Sequence, residues 1–292
     1  MSHEIELKLA LGQEGPEALR RHPLLAELAC EVQHLGNTYF DTPQGDLEAA
    51  RMALRLRRLD GRVLQTVKTP GEGGGGLSRR GEWEWEVPGP GLDLAGLTGL
   101  PPAELGQDVL SRLAPRFTTD FRRETRLIDH AGARIEVALD EGELAAAGRR
   151  VAIRELELEL KEGEPEALWS LAEALASAVP LRPADTSKAA RGGALLAGAW
   201  RLPEGGTPSA WLHRAVVALD ALADSDDDAW RQAAREALAR LAEASSSDRG
   251  GDRGDAARGL AEALGDPAWL TPAFGLAMVR LARSLPADNA LA

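Results

Sequence analysis

Apolar and charged residues alternate strictly along the first stretch of the chain, which reads HEIELKL from residue 3 to residue 9. Successive side chains of a β-strand point to opposite faces, so this spacing predicts a strand with Glu4, Glu6 and Lys8 on one face. The simpler interpretation of one such strand is an edge strand whose charges lie in solvent. The same alternation returns in later segments, however, and a single solvated sheet face does not require that.

Charged positions recur at a spacing of two residues on one face of most of the other predicted strands. They are Arg55 and Arg57, Lys68, Arg80, Glu82 and Glu84, Glu136 and Asp140, and Glu155, Glu157 and Glu159. The last three carboxylates are stacked along one strand face and repel one another. Cations must therefore lie nearby, supplied by Lys and Arg side chains, by a metal, or by both.

Some eight short strands at hairpin spacing predict a closed antiparallel barrel. Helical periodicity over residues 16–30, 102–113 and 164–178 adds helices and places the chain in the α+β class. Two arrangements remain open. In one, the apolar faces fill the barrel and the charges lie in solvent. In the other, the charges line an eight-stranded tunnel and the helices cover the apolar outer faces.

The distribution of charge between the strands favours the tunnel. Arg55, Arg57 and Lys68 lie on neighbouring strands, whereas the carboxylates of residues 155, 157 and 159 crowd another strand. A solvated surface usually intersperses the two signs. Segregated signs suit a ligand that carries many negative charges and binds together with a divalent metal.

The strand pattern ends before Pro208, and the rest of the chain has only helical periodicity. We therefore predict a strand-rich domain over residues 1–202 and a small all-α domain over residues 208–292, with the boundary between Pro203 and Pro208. A polar stretch over residues 245–254 is typical of a linker or mobile loop. The all-α part is interpreted as a bundle docked on the barrel or as the contact of a homodimer.

Composition narrows the classes of partner. The chain has 46 acidic and 34 basic residues, for a net charge of -12, which argues against general nucleic-acid binding. No apolar run is long enough to cross a bilayer, so no membrane partner is expected. The lone cysteine, Cys30, excludes an intrachain disulfide, and the acidic first residues do not resemble a signal peptide. These features predict a cytoplasmic protein.

The charged strand faces also indicate which metal to expect. Carboxylate oxygens are the ligands that Mg²⁺ and Mn²⁺ prefer. One cysteine and five scattered histidines make a zinc site a poor fit. Arginine side chains fork onto phosphate oxygens, so a phosphate-handling tunnel with Mg²⁺ or Mn²⁺ is one interpretation of the residues alone.

The pattern Glu4-x-Glu6-x-Lys8 resembles the ExExK signature of the CYTH superfamily, the triphosphate tunnel metalloenzymes. Further similar segments follow in family order, namely YFDT at 39–42, LRLR at 54–57, TVK at 66–68, ELELE at 155–159 and SKAARG at 187–192. The resemblance covers residues 1 to about 200. TTDF at 118–121 and EVALDEG at 136–142 are similar to the bacterial inorganic triphosphatase branch, whose members commonly carry a helical CHAD domain after the catalytic one. The tail here resembles a short, atypical version of it.

The resemblance implies hydrolysis of tripolyphosphate to pyrophosphate and phosphate, with Mg²⁺ or Mn²⁺, inside an eight-stranded antiparallel tunnel. The catalytic residues it implies are Glu4, Glu6, Lys8, Glu157 and Glu159. The metal ligands that the resemblance implies are Glu4, Glu6, Glu157 and Glu159, with Glu155 and Asp140 as further candidates. The phosphate-binding residues that the resemblance implies are Lys8, Arg55, Arg57, Lys68, Arg80, Arg123 and Lys188. Strand parity leaves open whether Arg122 or Arg123 faces the tunnel, and family spacing favours Arg123.

Three other functions remain open on the same residues. The substrate is tripolyphosphate or another small molecule that bears a triphosphate, so thiamine triphosphate hydrolysis and a class IV type adenylate cyclase are alternatives. A pocket for an organic base needs aromatic or apolar residues inside the barrel, and the chain has one Tyr and four Phe. This scarcity favours the inorganic substrate. A non-catalytic polyphosphate-binding module is the third alternative, with the carboxylates merely balancing the bases.

Overall fold

The computed structural model describes residues 2–245 and 252–285. Within these ranges the strands are β1 (Ser2–Leu11), β2 (Glu31–Asp41), β3 (Ala53–Leu59), β4 (Arg62–Lys68), β5 (Glu72–Gly74), β6 (Leu77–Val87), β7 (Ala114–His130), β8 (Ala133–Ala146), β9 (Arg149–Glu162) and β10 (Leu181–Pro183). The helices are α1 (Gly15–Arg20), α2 (Asp46–Ala49), α3 (Pro101–Glu104), α4 (Gln107–Ser111), α5 (Glu166–Ala176), α6 (Lys188–Ala197), α7 (Pro208–Ser225), α8 (Asp228–Ala244), α9 (Asp252–Ala263) and α10 (Pro272–Ser284).

Eight of the strands close into an antiparallel barrel. Their order is β1-β9-β8-β7-β2-β3-β4-β6, and β6 pairs with β1 to complete the ring. The short strands β10 and β5 extend the sheet beside β1 and β6. The predicted α+β fold with an eight-stranded antiparallel barrel is therefore confirmed.

Two of the three predicted barrel helices are shorter than their periodicity indicated. The helix predicted over residues 16–30 ends at Arg20, because Pro23 lacks an amide hydrogen and disfavours helical backbone at the residue before it. The helix predicted over 102–113 is divided into α3 and α4 by Gly106, whose φ of 95° is incompatible with a right-handed helix. The third prediction agrees closely with α5.

The outer faces of β1, β8 and β9 form the main apolar core. Leu7 and Leu158 are fully buried there, together with residues of α5, α7 and α10. Because strand side chains alternate, this packing turns the charged faces of the same strands into the barrel. Of the two arrangements left open by the sequence, the structure has the charge-lined tunnel.

The helices α7 to α10 pack into the same apolar cluster as the barrel. Leu219 of α7, Leu238 of α8 and Met278 of α10 belong to it. The boundary predicted between Pro203 and Pro208 falls in the segment that connects α6 and α7 without helix or strand. Division into two domains stays a prediction. The linker predicted over residues 245–254 lies largely outside the described residues, and α9 already begins at Asp252.

None of the described helices has both the length and the apolar character needed to cross a membrane.

Gly275 allows α10 to approach β10 closely. A Cβ atom at this position would lie 2.1 Å from the carbonyl oxygen of Leu181, which pairs with Leu11 of β1. We expect Gly275→Ala to lower the free energy of unfolding in urea by about 1–3 kcal/mol, because backbone must move to admit the methyl group. In Gly259→Ala, the control on α9, the new methyl group meets no atom within 4 Å. That variant is expected to be unchanged or up to about 1 kcal/mol more stable. Equal stability of the two variants would contradict the close packing.

Candidate active site

A cavity of about 370 Å³ lies inside the barrel. It is lined by charged side chains, among them Glu4, Lys8, Arg55, Arg57, Lys68, Arg80, Arg123, Glu157, Glu159 and Lys188. The other predicted site residues, Glu6, Asp140 and Glu155, are buried and paired directly behind this lining. The structure thus brings every residue of the predicted site to this cavity or directly behind its lining.

A second cavity of about 490 Å³, here called the mouth cavity, continues the tunnel at one end. The two cavities share Lys8, Lys68 and Arg80. The mouth cavity is bordered by α2, the glycine-rich loop at residues 71–76, the start of α6, and one residue of α7. Its lining is less polar than that of the tunnel, because Tyr39 and Phe117 stack there with ring centroids 4.6 Å apart.

Lys188, the first residue of α6, reaches into a group of three acids. Its Nζ lies 2.8 Å from Asp140, 2.6 Å from Glu155 and 3.1 Å from Glu157. Arg123 binds two of the same acids, with 2.7 Å from Nε to Asp140 and 2.6 Å from Nη2 to Glu157. Burial opposes ionisation of Glu157, but the Lys188 and Arg123 cations hold its pKa well below the usual range. These acids are already compensated by protein cations.

The structure resolves the parity of β7. Arg123 points into the tunnel, whereas Arg122 lies half exposed on the outside and pairs with Glu124. Arg126 also pairs with Glu124 on the outer face. The family spacing therefore indicated the correct arginine.

One wall of the tunnel has an excess of positive charge. Arg57 donates from Nε to the uncharged Asn37 at 3.0 Å. Arg55 donates to Thr66 at 3.3 Å, and although burial opposes its charge, Tyr39 and the Glu82 and Glu84 carboxylates raise its pKa, so the excess is concentrated at Arg57. Burial, together with repulsion from Arg55 and Arg123, lowers the pKa of Arg57 to about 10. An anion placed against this wall would relieve the repulsion.

Another wall has an excess of negative charge. Glu159 lies directly opposite Glu6 in the pairing of β9 with β1. Lys161 contacts Glu159 at 2.8 Å and Glu136 at 3.4 Å. Burial raises the pKa of Glu159, and the nearby Glu4 and Glu136 carboxylates raise it further despite Lys161. A cation bound here would relieve the repulsion between these carboxylates.

A family model described as the CYTH domain matches residues 2–192. The chain belongs to the CYTH family. The match includes all of the residues that line the tunnel and ends within α6.

The CYTH chain is also similar to individual proteins. An inorganic triphosphatase of Haemophilus influenzae is 37% identical over 201 residues, which cover 66% of this chain and 54% of that protein. The chain thus spans about half the length of the curated relative it matches. A Hippeastrum protein with a dominant triphosphatase activity is 21% identical at a TM-score of 0.48, covering 68% of this chain and 97% of that one. A Pyrococcus horikoshii protein is 17% identical at a TM-score of 0.37, covering 59% and 89%.

The CYTH tunnel contains two clusters of carboxylates, and they differ in how well they fit a divalent cation. Oxygen atoms of Asp140, Glu155 and Glu157 lie within 4.8 Å of one another, but the Lys188 ammonium already contacts all three. A metal there would meet that positive charge. The wall around Glu159 instead offers carboxylates whose mutual repulsion is only partly neutralised. Its all-oxygen donor set fits Mg²⁺ or Mn²⁺.

Arg191 is a residue of the network whose role the sequence did not indicate. Its guanidinium contacts Glu155 at 2.5 Å and Asp224 of α7 at 2.6 Å. The signal was present, because Arg191 follows Lys188 by three residues on a helix and so shares its face. Nothing in the sequence pairs it with Asp224, since that contact joins segments brought together only by folding. The aromatic pair of Tyr39 and Phe117 was missed for the same reason.

Opposite pKa shifts of neighbouring carboxylates generate a prediction about stability. Glu159 has a raised pKa, so its ionisation costs folding free energy as the pH rises above about 4.5. Glu157 has a lowered pKa, so its ionised form stabilises the fold above the same pH and that contribution is lost on acidification. We expect Glu159→Gln to be at least as stable as the unsubstituted protein at pH 7, and Glu157→Gln to be less stable.

Urea unfolding at pH 7 and near pH 4, without divalent cations, measures both differences. Each difference should shrink at the lower pH, because the carboxylates are then increasingly protonated in the unfolded chain. Destabilisation of the same size by both substitutions at pH 7 would contradict the charge distribution described above.

Proposed function

We propose that this chain is a metal-dependent triphosphatase that hydrolyses inorganic tripolyphosphate to pyrophosphate and phosphate inside the tunnel. The observation that carries the proposal is the pair of opposite charge excesses facing one cavity. The wall with Arg55 and Arg57 favours an anion, and the wall with Glu159 favours a cation. A triphosphate accompanied by a divalent metal satisfies both at once. The 37% identity to an inorganic triphosphatase supports the same activity.

The cationic side chains would bind the phosphate oxygens. Arg55, Arg57 and Arg123 face the cavity as a group and would hold one phosphoryl unit through paired N–H donors. The remaining predicted contacts come from Lys8, Lys68, Arg80 and Lys188. Several of these, such as Lys68 with Glu4 and Glu82, are paired with carboxylates at about 3.0 Å. Substrate binding would exchange part of that pairing for phosphate oxygens.

The predicted metal ligands differ in their surroundings. Glu4, Glu6 and Glu159, with Glu136 as a neighbour, would hold Mg²⁺ or Mn²⁺ at the acidic wall. Glu157, the fourth predicted ligand, would have to exchange its pairing with Lys188 and Arg123 for the metal, whereas Glu155 and Asp140 are better suited to orienting Lys188. When bound, the metal supplies positive charge that neutralises phosphate oxygens during the reaction.

The reaction is attack of water on a terminal phosphorus atom. A new P–O bond forms as the bond to the bridging oxygen breaks, and pyrophosphate leaves. The proton of the attacking water passes to a carboxylate of the acidic wall. The arginines stabilise the charge on the equatorial and leaving oxygens.

A second candidate substrate has one observation in its favour. The mouth cavity gathers Tyr39, Phe40, Met52, Leu54 and Phe117, although the chain is poor in aromatic residues overall. Such a lining suits the organic end of thiamine triphosphate or of a nucleoside triphosphate. Thiamine triphosphate hydrolysis and ATP cyclisation are therefore kept as alternatives, together with non-catalytic polyphosphate binding.

We also propose the domain division, the compartment and the classes of partner that the sequence predicts. The catalytic domain would span residues 1–202 and the helical domain residues 208–292, with homodimerisation through the helices still a hypothesis. The free thiol of Cys30 fits a reducing compartment such as the cytoplasm. We propose no nucleic-acid or membrane partner.

Phosphate release from tripolyphosphate, ATP and thiamine triphosphate tests the proposal directly. We expect tripolyphosphate to be hydrolysed fastest in Mg²⁺ or Mn²⁺, with activity lost in excess EDTA because the tunnel carboxylates then lack their cation. Faster release from thiamine triphosphate, or cyclic AMP from ATP, would establish the second candidate. Metal-independent binding without turnover would establish the non-catalytic module.

Arg57 provides a sharper test at the level of one residue. We expect Arg57→Gln to reduce kcat/KM for tripolyphosphate by about 10²–10³-fold, the usual cost of removing one preorganised electrostatic contact. Its stability should not fall, since the cation it removes is repelled by Arg55 and Arg123. The control is Arg150→Gln, because Arg150 is exposed on the far side of the sheet and pairs with Glu143. Full activity of Arg57→Gln would contradict the anion-binding wall.

A further inference from the structure

One residue that lines the mouth cavity comes from outside the matched family segment. His213 lies on α7, beyond the match that ends at residue 192, yet it borders the same cavity as Lys8 and Arg80. Its side chain is 24% exposed, so part of the ring remains accessible from the cavity. The helical region therefore contributes a side chain to the tunnel mouth.

The orientation of the His213 ring is fixed by a buried carboxylate. Its Nδ1 lies 2.7 Å from Oδ2 of Asp185, and the Asp185 side chain is only 5% exposed. An ionised carboxylate only accepts hydrogen bonds, so Nδ1 carries the hydrogen and donates it. The second ring nitrogen, Nε2, enters no hydrogen bond within the described ranges 2–245 and 252–285. It is the nitrogen left to meet a ligand.

Asp185 is itself held from two sides. Its Oδ1 accepts a hydrogen bond from the backbone N–H of Gly76 at 2.6 Å. Its own backbone N–H and that of Thr186 donate to Asp220 of α7 at 3.1 and 2.9 Å. This carboxylate therefore cannot follow a displaced imidazole without breaking its hydrogen bond from Gly76, and the backbone that carries it is held by Asp220.

The same contacts connect His213 to the first strand of the tunnel. The backbone N–H of Lys8 donates to the carbonyl of Gly76 at 2.9 Å, and the carbonyl of Lys8 accepts from Ala184 at 3.0 Å. Gly76 also donates to Asp185, and Ala184 is the residue before Asp185 in the chain. A continuous set of hydrogen bonds therefore connects the His213 ring to the backbone of Lys8.

The charges around His213 favour its cationic form. Burial opposes protonation, but the hydrogen bond and charge of Asp185, with Asp220 on the same helix, raise the pKa of His213. Arg51, which follows α2, lowers the pKa of His213, and the charge of Lys8 stabilises the ionised form of Asp185. The charged form is present below the raised pKa and is lost as the pH rises through it.

We propose that His213 is a substrate-binding residue of the tunnel, donating from Nε2 to an anionic phosphate oxygen at the end of the polyphosphate that projects into the mouth cavity. This inference rests on the proposed function. It assigns part of the active site to the helical region, so that α7 completes the tunnel as well as covering it. The ligand chemistry is a phosphate oxygen of a linear polyphosphate chain.

Steady-state kinetics with tripolyphosphate and saturating Mg²⁺ test this assignment. We expect His213→Gln to raise KM about tenfold near pH 6, the effect of losing a charge-assisted hydrogen bond, with a smaller change in kcat. The ratio of its KM to that of the unsubstituted protein should fall towards about twofold or less as the pH is raised towards 9, because the imidazole loses its Nε2 hydrogen as the pH rises through its raised pKa. Taking the ratio removes the titration of the substrate itself.

Two further variants complete the design. His130→Gln is the matched control, because His130 contacts Ser170 of α5 at 3.0 Å on the outside of the barrel. His213→Lys keeps a cation beside Asp185 and should keep KM close to that of the unsubstituted protein near pH 6 and no higher than it near pH 9, because the lysine ammonium stays charged at both pH values. Melting temperatures identify any variant that fails to fold, and the lysine variant then carries the test.

A KM ratio for His213→Gln that is near one, or that does not change with pH, would overturn the inference while leaving the proposed function intact. If the unsubstituted protein does not hydrolyse tripolyphosphate, the proposed function fails. In that case the affinity of the unsubstituted protein and of His213→Gln for tripolyphosphate, measured by calorimetry, tests the His213 contact separately. Weaker binding by His213→Gln near pH 6 supports the assignment, and equal binding or no binding by either protein overturns it.

Discussion

Closing a sheet whose strands carry charges on one face places those charges inside a barrel, where each one loses hydration and needs a partner. Lys188 among Asp140, Glu155 and Glu157 illustrates how most of that need is met within the protein. A buried charge without a partner would be too costly to retain. The network is therefore a condition for the barrel to exist with this sequence.

The compensation is incomplete at two places, and both face the cavity inside the barrel. Arg57 is repelled by its neighbours, and Glu159 by its own. Such residual repulsion reduces stability, and a ligand of matching charge removes it. The same arrangement that limits the stability of the empty tunnel would therefore supply binding free energy for the proposed triphosphate and cation.

The inward charges also dictate what lies outside. Leu7, Leu158 and their neighbours must be removed from water by other elements, and α5, α7 and α10 cover them. Covering the barrel brings α7 beside the tunnel mouth, where Asp224 holds Arg191 and His213 meets Asp185. A helix required for apolar burial thus also positions polar residues of the site.

The sequence by itself determined the strand faces, because a period of two is a local property of the backbone. From it came the closed antiparallel barrel and most of the charged strand residues that line the tunnel, whereas Lys188 and Arg123 were indicated by the family resemblance and Arg191 by neither. Local chemistry also overruled periodicity where Pro23 ended α1 early. Only the tertiary structure decided that the charges face inward, that Arg123 rather than Arg122 enters the tunnel, and that His213 of α7 reaches its mouth. These depend on contacts between segments far apart in the chain, which no local pattern encodes.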